Sequence, residues 1–378
     1  MILRKIPYMN LAVEDNHLKD ALLAAAGRVL EHGRIILGPE VETLERRVAG
    51  FCGRKFAVGV ASGSDALYLA VRCLDLKPGD EIITTPLSWV ATANAIILNG
   101  AKPVFVDIGS DLNINAGLIE RAVTKATKAI IPVHFNGNVC DMEKILEIAR
   151  RHSLHVIEDA AQAFGSTFKG SHAGSFGFIS CFSMNPMKVF PAYGEAGIIL
   201  TDDKDVFGKL KSLRYAGTVD KVNCEYAGLN SRIDTIQAAM LLVNLDRLND
   251  AIGRRREIAG FYRKELSGMV VCPEEKADCQ SNCYTYAVLA ESRDALKDYL
   301  SSCGIETKIH HPVLIPKQRL YSRITGYRIP VAEEMVTKIL SIPNNEKLTN
   351  EETGYITACI RRFYRSHNLN DNKLSNSE

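Results

Sequence analysis

Short apolar runs rich in β-branched residues alternate with amphipathic segments from about residue 55 to residue 203. The apolar runs predict strands, and the amphipathic segments predict helices. The predicted strands are 55–60, 81–86, 103–108, 128–135, 155–161, 177–184 and 197–203, and the predicted helices are 62–74, 89–98 and 141–152. Apolar strands bounded by helices are typical of an α/β fold in which helices sandwich a mostly parallel sheet.

The pattern changes after about residue 230. A long helical pattern begins near Ser231 and continues to about residue 266, with Gly253 and Gly260 as candidates for a bend. An apolar run at 283–290, a helix at 293–302 and a helix at about 350–364 follow. We therefore predict a large domain over residues 1–245 and a smaller C-terminal α/β domain over residues 246–378. The polar residues from about 366 predict a disordered tail.

Charge, hydropathy and cysteine spacing argue against several classes of function. The net charge of +2 over 378 residues predicts neither a nucleic-acid partner nor a membrane-surface protein. No apolar run reaches the ~18 residues of a membrane helix, and the first ten residues lack the apolar run of a signal peptide, so we expect a cytoplasmic protein. The ten cysteines lack metal-ligand spacing, so no metal site is predicted.

Two segments place polar residues where a parallel sheet binds ligands. Gly63 and Ser64 lie at a strand-to-helix junction, where free backbone amides and the helix dipole favour an anion. Such a junction is also compatible with an ordinary turn. Glu158 and Asp159 end a later strand, where alternation directs one acid to each face of the sheet. A buried acid there would need a cationic partner, although a helix cap or a solvated pair also fits the pattern.

A third segment carries Lys188, a lysine without neighbouring charges between two predicted strands. Asn185 and Pro186 mark a turn before it, and Gly194 and Gly197 follow it. A lysine without a nearby carboxylate in a desolvated loop suits Schiff-base formation. A lysine in a loop can also simply face the solvent.

Together, an acidic strand end, a lysine about thirty residues later and a glycine turn resemble the DegT/DnrJ/EryC1/StrS family of sugar aminotransferases. Further segments carry the resemblance over nearly the whole chain, namely ILGPEVETLERRVAGFCGRKFAVGVASGSDALYLAV, TTPLSWVATANAI and SIPNNEKLTNEE. The resemblance implies a fold-type I enzyme that depends on pyridoxal phosphate (PLP). The chain departs from the usual pattern at Met184 and at Ala196, and we expect both positions to border the sugar site.

The resemblance also implies roles for individual residues. Lys188 would hold PLP as a Schiff base and move a proton during catalysis, and Asp159 would pair with the protonated pyridine nitrogen. Gln162 would lie near the phenolic oxygen of PLP, and Trp89 would stack on its ring, although the only tryptophan could also be core.

The phosphate of PLP would be held by four residues of one chain and one residue of another. Gly63, Ser64 and Asp65 would offer backbone N–H groups, and Ser183 would offer a hydroxyl. Asn230 would reach the phosphate from the neighbouring subunit, so the resemblance implies a homodimer with shared active sites.

Other residues are weaker candidates. His310 and His311 occupy positions on the substrate side of relatives, and Tyr215, with Arg214, begins a stretch that could line a sugar pocket. Arg232 would hold the carboxylate of the amino donor or brace its loop. His134 would lie near PLP or be a core histidine.

These roles imply transfer of an amino group from an amino acid, expected to be L-glutamate, to a keto-sugar that is expected to be nucleotide-linked. The product would enter surface glycan or glycoside biosynthesis. Two alternatives stay open. The same chemistry could act on a free keto sugar acid or a cyclitol, or the chain could be a regulator that binds PLP without turnover.

Overall fold

The computed structural model describes residues 5–374, apart from residues 221, 274–275 and 325. The strands are β1 (Phe56–Val60), β2 (Glu81–Thr84), β3 (Lys102–Phe105), β4 (Thr127–Ile131), β5 (His155–Asp159), β6 (Thr167–Phe168), β7 (Ser171–His172), β8 (Ile179–Ser183), β9 (Gly197–Thr201), β10 (Cys279–Gln280), β11 (Tyr286–Leu289) and β12 (Ile339–Ile342). The helices are α1 (Asn16–His32), α2 (Pro39–Phe51), α3 (Gly63–Arg72), α4 (Ala91–Leu98), α5 (Ala116–Ala122), α6 (Met142–Arg151), α7 (Lys204–Leu213), α8 (Thr235–Glu265), α9 (Arg293–Ser302), α10 (Pro330–Lys338) and α11 (Asn350–Leu374).

The central sheet has seven strands in the order β1-β9-β8-β5-β4-β2-β3. Every neighbouring pair from β8 to β3 is parallel, and β9 alone runs antiparallel to its neighbours within this sheet. The predicted mostly parallel α/β sheet is therefore confirmed. The carboxyl ends of β1, β2, β5 and β8 meet at one edge, and the loop between β8 and β9 begins there.

Hydrophobic cores cover both faces of this sheet. On β4, Ile130 packs into the core on one face, whereas Ala129 and Ile131 pack into the core on the other. All three side chains are fully buried. The alternation of strand side chains explains why apolar residues occupy consecutive positions in these strands.

Helix α8 connects the sheet core with the C-terminal region. Leu248 and Ile252 pack into the sheet core, whereas Ile258 and Tyr262, on later turns, pack into a second core. The predicted domain boundary at residue 245 falls inside this helix. Ile6, near the start of the described residues, also packs into the second core.

The end of the chain differs from its prediction. Helix α11 continues to Leu374, so the backbone of residues 366–374 is helical where a disordered tail was predicted. Once a helix is nucleated, each added residue gains a backbone hydrogen bond, so polar residues can extend it. Residues 375–378 lie outside the described residues.

Within the described ranges, none of the helices is both long enough and apolar enough to cross a bilayer.

Candidate active site

A cavity of about 380 Å³ lies at the sheet edge where the carboxyl ends of β1, β2, β5 and β8 meet. Open α/β sheets bind ligands at this edge. The predicted site residues that line it are Gly63, Ser64, Trp89, Asp159, Gln162, Ser183, Lys188, His310 and His311. We call Gly63, Ser64, Asp159, Gln162 and Ser183 the sheet wall, and Tyr284, Lys308, His310 and His311, which come from the C-terminal region, the histidine wall.

One corner of the sheet wall is suited to bind an anion. Helix α3 begins at Gly63, so the Gly63 and Ser64 amides belong to its first turn, where backbone donors have no partner within the helix. A Cβ atom on Gly63 would lie 2.5 Å from the Ser183 Cβ atom. Only glycine therefore allows the start of α3 to approach Ser183 so closely. This approach places backbone amides beside a hydroxyl at the positive end of a helix dipole.

Asp65, whose amide was predicted to bind the phosphate, lies in the first turn of helix α3. Its amide donates a hydrogen bond to the Ser62 hydroxyl oxygen over 3.1 Å, which caps helix α3. Its carboxylate accepts a hydrogen bond from the Ser231 hydroxyl over 2.6 Å, and Asp65 is not among the residues that line the cavity. Asp65 thus stabilises the start of the helix and fixes Ser231.

The two adjacent acids of β5 face opposite sides, as alternation predicts. Asp159 faces the cavity, where its carboxylate accepts hydrogen bonds from the Thr92 hydroxyl over 2.7 Å and from the Ala161 amide over 3.2 Å. Glu158 is fully buried and accepts a hydrogen bond from His134 Nε2 over 2.9 Å. Glu158 also accepts hydrogen bonds from the backbone amides of Gly174, Phe176 and Gly177 and from the Ser180 hydroxyl.

The environments of the two acids shift their pKa values in opposite directions. Burial raises the pKa of the Asp159 carboxyl, and its two hydrogen bonds only partly oppose that effect. Burial also acts to raise the pKa of Glu158, but the hydrogen bonds from His134 and from the backbone amides of Gly177 and Gly174 lower it below its usual value. Asp159 makes no ion pair with any described residue, so a cation bound in the cavity would stabilise its charged form.

Lys188 lies on the loop between β8 and β9 and reaches the cavity beside an aromatic ring. Its Nζ atom lies 4.3 Å from the centroid of the Tyr284 ring, a distance at which the ring attracts an ammonium group. Across the described part of the chain, no carboxylate forms an ion pair with Lys188. The amine is therefore free of a competing salt bridge.

Gln162 and His134 have different surroundings. The Gln162 Oε1 atom accepts a hydrogen bond from the Asn136 amide over 2.8 Å, which leaves the side-chain NH₂ group to donate elsewhere. His134 is fully buried, does not line the cavity, and accepts a hydrogen bond from the Cys140 amide at Nδ1 over 3.2 Å. The core alternative for His134 therefore fits its position, because it binds Glu158 beneath the sheet wall.

Trp89 lies at the rim rather than in the core. Its side chain is 63% exposed, and its ring centroid lies 6.3 Å from that of His311. The core alternative for Trp89 is therefore wrong. An exposed aromatic ring beside a cavity can stack on a planar ligand.

Met184 and Ala196, where the chain departs from the family pattern, were expected to border the sugar site, and the structure corrects this expectation. Met184 and Ala196 are both fully buried and do not line the cavity. The Met184 amide donates a hydrogen bond to the Ala196 carbonyl over 2.8 Å. These two residues therefore hold the ends of the Lys188 loop together from the core side.

Three other predicted residues do not line the cavity of their own chain, namely Tyr215, Asn230 and Arg232. They form a separate cluster. The Asn230 side-chain oxygen accepts a hydrogen bond from Arg232, and the Arg232 guanidinium lies 4.5 Å from the centroid of the Tyr215 ring. Arg214 is buried instead, where it donates hydrogen bonds to Glu45 and to the Gly59 carbonyl.

The sequence profile of the DegT/DnrJ/EryC1/StrS aminotransferase family matches residues 16–361, which include every residue of both walls. The chain belongs to this family. The resemblance identified from the sequence is thus confirmed, and this member of the DegT/DnrJ/EryC1/StrS family is a PLP-dependent aminotransferase.

Similar proteins cover almost the whole chain. A UDP-N-acetyl-3-dehydro-alpha-D-glucosamine 3-aminotransferase of Acidithiobacillus ferrooxidans is 38% identical over 94% of this chain and 97% of its own length. A pleiotropic regulatory protein of Geobacillus stearothermophilus is 37% identical over 95% of this chain and 99% of its own length. The structure of S. venezuelae DesV in complex with a ketimine intermediate is 35% identical, has a TM-score of 0.92, and covers 95% of this chain and 98% of its own.

The cavity residues fit the cofactor of the DegT/DnrJ/EryC1/StrS family. PLP carries a phosphate, a pyridine nitrogen that can bear a positive charge and an aldehyde that reacts with an amine. The cavity offers an anion-binding corner at Gly63 and Ser64, a buried carboxylate without an ion pair at Asp159, and an uncommitted amine at Lys188.

Several cavity residues were not predicted from the sequence. They are Ser62, Leu67, Ser88, Ala91, Thr92, Ala161, Asn185, Met187, Glu195, Tyr284 and Lys308. Thr92 had a usable signal, because it lies three residues after Trp89 at the start of a predicted helix and so shares its face. Tyr284 and Lys308 come from a region without a local motif, and only tertiary packing brings them to the cavity.

Proposed function

We propose that this chain transfers an amino group from L-glutamate to a nucleotide-linked keto-sugar, with Lys188 as the catalytic residue. The observation that carries the proposal is an uncommitted lysine amine and a buried, unpaired carboxylate in one cavity at the carboxyl edge of the sheet. When bound, PLP takes the amino group from the donor and passes it to the acceptor, with its ring as the electron sink.

Lys188 would perform two tasks at its Nζ atom. The amine would attach PLP covalently, and after release it would move a proton to and from the reacting carbon. Both tasks require an amine without a fixed carboxylate partner, and Lys188 contacts the Tyr284 ring instead of an acid.

The sheet wall would orient the cofactor. Gly63 and Ser64 would donate backbone hydrogen bonds to the phosphate, and Ser183 would add its hydroxyl. Asp159 would face the ring nitrogen and keep a proton there, since a cation beside a buried carboxylate stabilises both charges. Trp89 would cover one face of the ring, and Gln162 would donate from its NH₂ group to the phenolic oxygen.

The relatives support the class of acceptor. The relative from Acidithiobacillus ferrooxidans acts, by its name, on a UDP-linked 3-keto sugar. A relative from Aneurinibacillus thermoaerophilus, 37% identical, is named a dTDP-amino-sugar transaminase. A nucleotide-linked keto-sugar is therefore the acceptor that we propose. None of the described cysteines forms a disulfide, which suits action in the reducing cytoplasm.

The function can be tested with PLP-loaded protein and ¹⁵N-labelled L-glutamate. We expect the cofactor absorbance to change when glutamate is added, and to recover when UDP-N-acetyl-3-dehydro-glucosamine follows. The sugar product should gain one ¹⁵N atom by mass spectrometry, whereas the Lys188→Ala variant should yield none. If glutamate changes the absorbance but labelled product forms only from a free keto sugar acid or a keto-cyclitol, that compound replaces the nucleotide-linked sugar as the proposed acceptor. No response to any amino donor would favour a regulator that binds PLP.

We propose further that the active unit is a homodimer in which Asn230 contacts the phosphate in the partner's cavity, and that Tyr215 and Arg232 face the partner's substrates. Asn230 is exposed and does not line the cavity of its own chain, which supports a role across an interface. Ser231, between Asn230 and Arg232, is anchored by its hydrogen bond to Asp65.

Mixed dimers test the shared site. Lys188→Ala and Asn230→Asp should each be inactive alone, the second because a carboxylate would repel the phosphate. A dimer with one chain of each kind should recover activity, since one of its two sites has both Lys188 and Asn230. Mixed dimers verified by native mass spectrometry that stay as inactive as their parents would show that Asn230 serves its own chain.

A further inference from the structure

A buried tyrosine from the N-terminal arm contacts the histidine wall. The hydroxyl of Tyr8 lies 3.0 Å from His310 Nε2, and both side chains are less than a tenth exposed. The two ring centroids lie 5.8 Å apart at an interplanar angle of 56°. Residues 302 positions apart in the chain thus meet through one hydrogen bond in the wall of the cavity.

The backbone around both residues is held in place. Ile6 pairs with Ile305, since the Ile6 amide donates to the Gly304 carbonyl over 2.8 Å and the Glu306 amide donates to the Ile6 carbonyl over 2.9 Å. Two residues before His310, Lys308 exchanges two backbone hydrogen bonds with Ser341 of β12. Backbone hydrogen bonds therefore hold both the N-terminal arm and the segment before His310 in place. This explains why the Tyr8 hydroxyl lies within hydrogen-bond distance of His310 Nε2.

Both partners of this hydrogen bond are neutral. Burial, with the positive charges of neighbouring groups, lowers the pKa of His310 to about 3, so the imidazole carries one proton at neutral pH. Burial raises the pKa of the Tyr8 phenol, so the phenol keeps its proton. The bond is thus either phenol O–H to Nε2 or Nε2–H to the phenol oxygen.

Only the first of these directions gives the buried phenol hydrogen a hydrogen-bond acceptor. The Ser341 hydroxyl lies near Tyr8 and acts to lower the pKa of its phenol, as a hydrogen-bond donor to the phenol oxygen does. A phenol that only accepted from His310 would leave its buried hydrogen without a partner, which is unfavourable. The phenol therefore donates to Nε2, and the single imidazole proton lies on Nδ1.

The Nδ1 atom is the nitrogen that a ligand can reach. No described residue forms a hydrogen bond with it, and it is not one of the polar atoms that are buried without a partner. Because His310 lines the cavity, its Nδ1–H group is open to that space.

We propose that Tyr8 is a positioning residue that keeps the proton of His310 on Nδ1 and so presents an N–H donor to an acceptor oxygen of the keto-sugar. This inference rests on the proposed function for the identity of the ligand, but not for the tautomer of His310. It extends the acceptor site to the N-terminal arm and makes residue 8 a determinant of acceptor specificity.

The kinetic test uses Tyr8→Phe, which keeps the ring and removes the hydroxyl. We expect the KM for UDP-N-acetyl-3-dehydro-glucosamine to rise about 3- to 10-fold, as for the loss of one neutral hydrogen bond. The rate of the absorbance change with L-glutamate should stay as in the unmodified protein. Tyr355→Phe is a matched control, because it removes a tyrosine hydroxyl that donates to the Cys303 carbonyl away from the cavity. In a His310→Ala background, Tyr8→Phe should have no further effect.

The tautomer itself is measured by ¹⁵N NMR on histidine-labelled protein without cofactor. The His310 signals are assigned by their loss in His310→Ala. We expect a protonated Nδ1 in the unmodified protein and a mixture of tautomers in Tyr8→Phe. A protonated Nε2 in the unmodified protein, an unchanged KM, or an effect of Tyr8→Phe that persists without His310 would overturn the proposal. If no acceptor is aminated, the proposed function fails instead, and the NMR result still decides the tautomer.

Discussion

The two walls of the cavity are built in different ways. The residues of the sheet wall lie at or just beyond the ends of strands, so the sheet backbone positions Gly63, Asp159 and Ser183. The histidine wall consists of side chains from the C-terminal region, supported by an arm some 300 positions earlier in the chain. The sheet wall is therefore fixed by the fold, whereas the histidine wall can change by substitution while the sheet stays intact.

The walls also differ in electrostatics. The sheet wall holds the Asp159 carboxylate, which lacks an ion pair with any described residue, whereas the adjacent Glu158 faces the other side of the sheet and is surrounded by donors. The histidine wall holds two imidazoles whose pKa values are lowered to about 3 and about 4, so they are neutral at physiological pH. One wall is suited to a charged ring and its phosphate, and the other to the neutral hydroxyls and carbonyls of a sugar.

The largest expected effect on turnover distinguishes Lys188 from Lys308, the other lysine that lines the cavity. Lys188→Ala should fold and bind PLP weakly, yet lose amino transfer by roughly 10³-fold or more, since the covalent link and the proton transfer both disappear. Lys308→Ala, in the histidine wall, should keep the absorbance band of covalently bound PLP. Turnover and absorbance spectra of both variants check this. Near-normal turnover of Lys188→Ala would end the assignment of the catalytic lysine.

A smaller effect distinguishes Asp159 of the sheet wall from Glu158, the adjacent acid on the other face of β5. Asp159→Asn should fold normally but lower turnover ~100-fold, the size expected when a positioned electrostatic partner is lost. Glu158→Gln should instead destabilise the protein by roughly 3 kcal/mol, because an amide cannot accept all the hydrogen bonds of a buried carboxylate. Turnover and urea unfolding of both variants are the measurements. If Asp159→Asn has normal turnover and Glu158→Gln does not, Glu158 is the partner of the ring nitrogen.

The sequence predicts the sheet wall better than the histidine wall, because the two walls are built differently. The acids of β5 and the Gly63 junction are recognisable because strand periodicity places them at the carboxyl edge of the sheet. Tyr8 and Tyr284 carry no local pattern, since their positions depend on contacts between distant segments.

Asp65 has a second role that a local rule could have predicted. Ser62 and Asp65 have the spacing of a helix cap, in which the serine oxygen accepts a hydrogen bond from the Asp65 amide. The fold class was predictable in full, but the helical end of the chain was not, because composition favours disorder where a helix continues.

The smallest effect concerns His311 and the pH dependence of stability. Burial and the positive charges of Lys188 and Lys308 lower its pKa in the folded protein to about 4. An unfolded histidine takes up a proton below about pH 6.5, so between pH 6.5 and pH 4 the unfolded state binds more protons. His311 therefore contributes stability that is complete above pH 6.5 and is lost as the pH falls. His311→Gln removes this dependence, so from pH 7.5 to pH 5 the unmodified protein should lose about 2 kcal/mol more unfolding free energy than the variant. Urea unfolding at both pH values measures it, and equal losses would mean that the histidine wall does not keep His311 neutral.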